Sequence, residues 1–299
     1  MELLQLKYFQ AVAEMEHITK AAQMLNVTQP SLSKTIARLE EDVGVPLFDR
    51  QGRNIRLNSF GKVFLEHVTR AFRELEDGEK KIHDMAGMSE GSVKIATSIT
   101  SILPDLLGAF LRKYPNIHFR QVLQPPTVVK KMLEEGEIDL SITGPIEGSD
   151  LEWRLLRTEE IYVVVPENHR LAGQSEVRMS DLKDEPFLGL GSEYWFRSLM
   201  EGYCHEAGFT PKYIMEVDEP DAIVLLIKQG LGICFVPELA WKKRAQFLPH
   251  RLKIKDMECQ YRMGITWSRK HYLSKAAQQF FSFVIDYFEH LQQNNERSL

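Results

Sequence analysis

The sequence predicts an α+β chain in three parts: a small helical module ending in a β-hairpin, a long linker helix, and a two-lobed α/β domain. Three patterns carry that expectation. Apolar residues recur at spacings of three and four up to residue 43, then give way to two short extended segments over residues 46–58. A stripe with alternating steps of four and three runs to residue 85. From residue 92 onward strands and helices alternate, the pattern of a parallel sheet covered on both faces. The expected boundaries are 1–58 for the first module, 59–90 for the linker and hinge, and 91–299 for the last. The last part divides into lobe I (91–160 and 266–299) and lobe II (161–265).

At 299 residues, with 43% hydrophobic and 26% charged positions, the chain has the length of a multidomain protein and the composition of a globular one. No apolar run is long enough to span a bilayer, and the opening MELLQLKYFQ has no signal-peptide pattern. A cytoplasmic protein without a membrane partner is therefore expected. Cys204, Cys234 and Cys259 are isolated and odd in number, which fits reduced, buried thiols better than disulfides or a zinc site. The net charge of −5 argues against non-specific coating of nucleic acid, but the acids are unevenly placed. None occurs from His17 to Leu39, where Lys20, Lys34 and Arg38 lie, or from Arg50 to Leu65, where Arg50, Arg53, Arg56 and Lys62 lie. Acid-free basic windows suit a surface that displaces counterions from phosphates.

The first helix is expected over residues 3–15, with Leu3, Leu6, Phe9 and Ala13 on one face. Thr19 is placed to cap a second helix, whose Ala21, Ala22 and Leu25 allow a close crossing. Asn26 tolerates the left-handed turn that must follow. Thr28 suits the N-cap of a third helix, with Pro30 in its first turn. Leu32, Ile36, Leu39 and Val43 line one side of that helix and leave Pro30, Ser31, Ser33, Lys34 and Arg38 outward. An outer face that is small and polar at its start and basic further on fits a major groove roughly 12 Å wide. Gln29 or Ser31 would read base edges there, while Lys34, Arg38 and the helix N-terminus hold phosphates. In PLFDRQGRNIRLN a turn around Gln51-Gly52 makes a wing whose Arg50, Arg53 and Arg56 suit phosphates or an adjacent minor groove.

Helix, turn, helix and wing in this order make residues 1–65 resemble the N-terminal domain of LysR-type transcriptional regulators. The resemblance runs through LKYFQAVAEMEHITKAAQMLNVTQPSLSKTIARLEEDVGVPLF and DRQGRNIRLNSFG. It implies DNA contacts by Thr28, Gln29, Pro30, Ser31, Ser33 and Lys34, with Arg53 on the wing. One departure is Asn58, where the family more often has Thr; both residues cap a helix.

In the linker, Phe64, Val68, Ala71, Leu75, Gly78, Ile82 and Met85 form a heptad seam. It predicts a homodimer whose two heads read both halves of a palindromic double-stranded operator. Gly78 is the weak point of the seam, and Gly87 and Gly91 mark a hinge. The resemblance further implies a homotetramer and contact with RNA polymerase.

Strands are expected at SVKIATS, IHFRQVL, IDLSITG, EIYVVVP, PFLGL, PKYIMEVD, GICFVPE and YRMGITWS. Helices are expected over 104–114, 127–135 and 194–207, at AIVLLIKQG, and from 274 to about 292. The chain should cross between lobes near Glu159–Val163 and return near Met263–Thr266, so that the last helix rejoins lobe I. This part resembles the periplasmic-binding-protein-like effector domain of the same family. In open α/β sheets ligands sit beyond the carboxyl ends of strands. Here that rule selects Ser98, Thr100, Ser101, Gln124, Thr127, Gly191, Ser192 and Asp218. Several of these precede helices, whose N-termini favour anions, so the expected effector is a small anionic metabolite, a carboxylate.

No Gly-rich phosphate loop, His-Glu-x-x-His motif or Gly-x-Ser-x-Gly elbow occurs, and no catalytic residue, metal site or cofactor is expected. His169 and His205 read as surface or loop histidines. Tyr194-Trp195-Phe196 reads as a core run, one ring of which could flank a ligand. An enzyme with a DNA-binding head would need convergent acid, base or nucleophilic groups that are not apparent. A transporter's solute-binding protein would need a leader sequence and no recognition helix. The expected function is sequence-specific transcription regulation gated by a metabolite, with effector-independent repression as the alternative.

Overall fold

The chain divides into two units, Met1–Ile82 and His83–Leu299. The computed structural model describes residues 1–51, 54–87, 91–97, 101–245 and 250–296.

The first unit comprises α1 (Leu3–Met15), α2 (Ile18–Met24), α3 (Gln29–Val43), the hairpin β1 (Phe48–Gln51) and β2 (Asn54–Leu57), and α4 (Ser59–Met85), whose last turn enters the second unit. Leu6, Phe9, Val12, Leu32, Ile36, Leu39 and Val68 form its core. Phe9 stands at the centre, its ring 5.4 Å from that of Phe48 and 5.2 Å from that of Phe64. Leu3 departs from expectation. It is 58% exposed, because the first turn of α1 projects past the core and the buried face begins at Gln5 and Leu6. The cap of α2 also differs. Glu16 takes the left-handed conformation (φ 44°) and ends α1, so the extended residue that follows, His17, becomes the N-cap in place of Thr19. Its Nδ1 accepts the Lys20 N–H at 3.4 Å. Asn26 turns left-handed as expected (φ 53°), and Thr28 caps α3 by accepting the Ser31 N–H.

Asn58 Oδ1 accepts the Gly61 N–H at 2.8 Å and starts α4. The predicted seam then splits. Val68 is buried and Phe64 half-buried in the first unit's own core, because the start of α4 packs back on α1. Further along, Leu75 (50%), Ile82 (64%) and Met85 (88%) are bare.

The second unit contains β3 (Ser92–Thr97), α5 (Leu103–Lys113), β4 (His118–Val122), α6 (Pro126–Glu134), β5 (Leu140–Thr143), β6 (Leu151–Val165), β7 (Glu176–Val177), β8 (Pro186–Leu190), α7 (Trp195–Glu206), β9 (Lys212–Val217), α8 (Pro220–Lys228), β10 (Cys234–Pro237), α9 (Glu238–Arg244), β11 (His250–Ile254), β12 (Gln260–Ser268) and α10 (Lys275–Glu296). β3 lies between β4 and β5, all parallel. The sheet is mixed rather than parallel throughout, because β12 runs antiparallel between β5 and β6. β6 serves two neighbourhoods: Leu151–Glu160 pairs with β12, while Ile161–Val165 pairs with β10 and β11. Thus one strand runs from the first half of the unit into the second. The register slips between Met263 and Gly264. A Cβ at Gly264 would collide with the Trp153 ring and stand 2.5 Å from the Arg154 carbonyl oxygen, so only glycine fits that slip.

β7, α9 and β11 have no counterpart among the elements expected from the sequence. α10 returns to the first half of the sheet. Phe280, Val284 and Phe288 are buried, and the Phe280 ring meets that of Phe110 edge-on at 5.1 Å. Among the described residues no helix is long and apolar enough to cross a membrane.

Candidate DNA-reading face and effector cleft

Burial of Leu32, Ile36 and Leu39 sets the rotation of α3, and the opposite face follows from it. Thr28, Gln29, Pro30, Ser31, Lys34 and Arg38 are all exposed, and Ser33 is half-exposed. Gln29 Nε2 donates to Ser33 Oγ at 2.8 Å, which lays the amide along the helix surface. The wing is tied to the far end of the same helix. Glu40 Oε1 accepts the N–H groups of Leu47 (2.7 Å) and Phe48 (3.2 Å) just where β1 begins. Arg56 is exposed on β2, opposite Asp49. Arg50 pairs with Ile55 in the hairpin backbone, and Arg53 lies outside the described residues.

Two of the cavities in the second unit adjoin residues expected to hold the effector. The smaller, about 30 Å³, sits at the carboxyl ends of β3 and β5, where Thr97, Ser141 and Thr143 meet Gln124 and Pro126. Tyr194, Trp195 and Tyr261 close it from the other side. Trp195 packs directly on the backbone of Gly144, and a Cβ there would collide with the indole. The Ser141 hydroxyl is buried without a hydrogen-bond partner, and so is that of Thr266, its cross-strand neighbour. The α6 N-terminus is a weaker anion site than the sequence suggests. Pro126 has no N–H, and those of Val128 and Val129 already bond to the Pro125 carbonyl.

The larger of the two, about 130 Å³, is lined by Ser101 and Ile102 just before α5 and by β6, β8, α7, β9, α8, β10, α9 and β12. Of the predicted effector residues, then, Gln124 lines the smaller cavity and Ser101 the larger. Thr127, Gly191, Ser192 and Asp218 line neither, and Ser98 and Thr100 lie outside the described residues. Tyr194, Trp195 and Phe196 serve both packing and lining: Trp195 and Phe196 rest on Tyr261, each ring pair 5.5 Å apart.

Sequence reasoning missed two buried charged groups beside the larger cavity. Arg197 donates to the Leu190 carbonyl (3.0 Å), Glu201 (2.7 Å) and Glu216 (3.3 Å), and its guanidinium lies 3.0 Å from the centre of the Tyr213 ring. The i,i+4 spacing of Arg197 and Glu201 was a faint signal for it. Glu159 is 3% exposed. Its Oε2 accepts the Leu239 N–H at 2.9 Å, and its Oε1 lies 3.5 Å from Arg157 Nε. Burial pushes its carboxyl up to about 7, against the pull of the Leu239 N–H and Arg157. The three cysteines are buried and free, and burial pushes the Cys204 thiol up to about 12, far from a reactive thiolate. His169 sits in a loop as expected, and it is structurally engaged there. Together with Arg170 it grips the carboxylate of Glu185, at 3.0 Å and 2.6 Å respectively.

Residues 3–62 match the model of the bacterial regulatory helix-turn-helix protein, lysR family, and residues 86–289 that of the LysR substrate binding domain. The transcriptional dual regulator GltC of Bacillus subtilis (strain 168) is 35% identical over 298 residues, covering 98% of this chain and 99% of GltC. Full-length CbnR, solved in complex with its target DNA, has the same fold at 23% identity, with a TM-score of 0.68 and coverage of 95% and 99%. The effector binding domain of QuiR, solved in complex with shikimate, matches 67% of this chain and 98% of its own at 22% identity and a TM-score of 0.60. With its reading head and its effector-binding domain both matched, the chain belongs to the LysR family of DNA-binding transcription regulators and is not an enzyme.

Proposed function

We propose that the outward face of α3 enters the major groove of a palindromic operator and that an anionic metabolite in the smaller cavity of the second unit sets the regulator's state. The observation carrying this reading is the uninterrupted exposed face from Thr28 to Arg38, capped at its start and free of acids. Gln29 or Ser31 reads base edges. Lys34, Arg38 and the amide end of α3 hold phosphates, and Arg50 and Arg53 flank them from the wing. A single head of this size binds weakly, so two heads joined through the bare Leu75–Ile82–Met85 stripe of α4 give the affinity.

For the effector, the hydroxyls of Thr97, Ser141 and Thr143 converge with the Gln124 amide beyond the strand ends. Such neutral donors suit a small hydroxylated carboxylate, the chemistry of the ligand bound in QuiR. At about 30 Å³ the cavity has room for little more than water, so the effector must displace Trp195 from Gly144. That requirement couples binding to the separation of the two halves of the unit. The effector acts only through its difference in affinity for the two arrangements.

Footprinting the purified full chain on DNA from beside its own gene, at moderate ionic strength and with and without a panel of organic acids, tests the reading. A protected, two-fold symmetric site whose pattern changes with one acid supports it. The absence of any preferred duplex site overturns it.

A further inference from the structure

We propose that Glu16 is a positioning residue for DNA recognition: its carboxylate fixes the returning strand of the wing and so holds Arg56 in place for a phosphate. The proposal rests on the wing reading above and adds to it the group that keeps the wing in register with the helices.

The first observation is a strained backbone. Among the described residues, Glu16 and Asn26 alone hold a positive φ without being glycine, at 44° and 53°. Asparagine enters that region readily, whereas a glutamate there is strained. Glycine or asparagine would end α1 without the strain. A strained residue at a junction directs attention to what its side chain does.

That side chain reaches the wing. Glu16 Oε1 accepts the Leu57 N–H at 3.2 Å, 41 residues further along the chain. The ladder shows why this N–H needs an outside acceptor. The Asn58 N–H bonds to the Leu47 carbonyl at 3.1 Å, and Leu57 stands opposite Phe48. Successive N–H groups of a strand point to opposite sides, so that of Leu57 turns away from β1. Glu16 meets it from the junction between α1 and α2.

The bond has a specific cargo. The Leu57 N–H and the Arg56 carbonyl share one planar peptide unit, so anchoring the first sets the backbone that carries the exposed Arg56. Glu40 anchors β1 in the same way, through the N–H groups of Leu47 and Phe48. Each strand of the wing is thus tied to a different helix by a carboxylate. An anchored wing meets DNA already ordered, whereas a loose one must be ordered at the moment of binding and binds more weakly.

Charge separates this role from a general one. Glu16 is the last acid before the acid-free stretch that begins at His17. On charge alone, removing it would tighten binding to any DNA. Positioning predicts the reverse.

The test uses the full chain, with the duplex protected in the footprint and a random-sequence duplex, titrated by fluorescence anisotropy over a range of salt. Glu16→Gly and Glu16→Asn both accept a positive φ and cannot reach Leu57. Each should weaken binding to both duplexes by roughly three- to tenfold, the weight of one net hydrogen bond, and reduce the salt slope by about one unit. The melting midpoint of the first unit's helices, followed by circular dichroism, should hold or rise in Glu16→Gly as the strain is relieved. Glu16→Gln keeps the acceptor and should bind at least as tightly as the parent. In an Arg56→Ala background, Glu16→Gly should lose most of its effect. Binding by Glu16→Gly as tight as the parent's overturns the proposal, as does a Glu16→Gln variant that is equally weak. A full loss that persists in the Arg56→Ala background overturns it too, and so does a fall in the melting midpoint alongside the loss, which would assign Glu16 to stability alone. If Arg56→Ala itself leaves the salt slope unchanged, the wing reading falls together with the proposal; if only the Glu16 variants fail, the wing reading stands.

Discussion

Replacing Glu40 with Ala should loosen the wing while leaving the recognition helix itself in place. One carboxylate oxygen holds two backbone N–H groups, those of Leu47 at 2.7 Å and Phe48 at 3.2 Å. Hydrogen bonds to a charged group contribute about 1.5–3 kcal/mol each. The second bond is long and the site only part-buried, so a total of about 2–3 kcal/mol is expected. For a unit of this length each kcal/mol moves the melting midpoint by roughly 4–8 °C, giving a fall of roughly 10–20 °C. The assay has a built-in control. All four tryptophans, at 153, 195, 241 and 267, lie in the second unit. Urea unfolding followed by tryptophan fluorescence should therefore be unchanged, while the far-ultraviolet circular dichroism of the first unit's helices is lost earlier. DNA binding should weaken, and its salt dependence should become shallower as Arg56 of the wing loses its fixed position. Glu40→Gln keeps an oxygen acceptor and should recover at least half of the loss. The reasoning fails if the midpoint does not move, or if Glu41→Ala, on an exposed neighbour, lowers it as much.

Other outcomes follow from the same geometry. Lys34→Ala should weaken binding to operator and random DNA alike and reduce the salt slope by about one unit, whereas Gln29→Ala should relax sequence preference by about 1–3 kcal/mol; equal behaviour on both DNAs would remove the distinction. Ile82→Lys places a charge in the bare stripe of α4 and should shift sedimentation toward a monomer with much weaker operator binding. Gly144→Ala should displace the Trp195 indole and shift tryptophan emission to the red. The Glu159 carboxyl is raised from 4.5 to about 7, so between those values the folded state binds more protons than the unfolded one. The stability of the second unit should therefore fall as pH rises through that window, by about 3 kcal/mol in all, and Glu159→Gln should flatten the curve.

The first unit was legible because its signals are local. The left-handed turn at Asn26, the cap at Thr28 and the spacing of Leu32, Ile36 and Leu39 each constrain only their neighbours. Where local signals compete, the reading failed. Thr19 and His17 both suit a cap, and the left-handed Glu16 decided between them. The cleft was harder because its polar groups come from far apart in sequence. Ser141 borders Thr97 and Gln124 only once β3 and β5 are paired. Glu159 and Glu160 are adjacent, and the pleat sends one inward and the other to solvent. Nothing in Thr-Glu-Glu-Ile states which is which. The run that follows does not decide it either, because it is buried on both faces, Ile161, Val163 and Val165 on one and Tyr162 and Val164 on the other.

The span Leu151–Val165 has a consequence for how the second unit can be taken apart. It supplies a ladder partner to β12 at one end and to β10 and β11 at the other. A cut anywhere along it would strip both halves of a neighbour at once and bare two hydrophobic sheet edges. Neither half is therefore a transferable piece, and a functional chimera must exchange the whole of this unit or none of it.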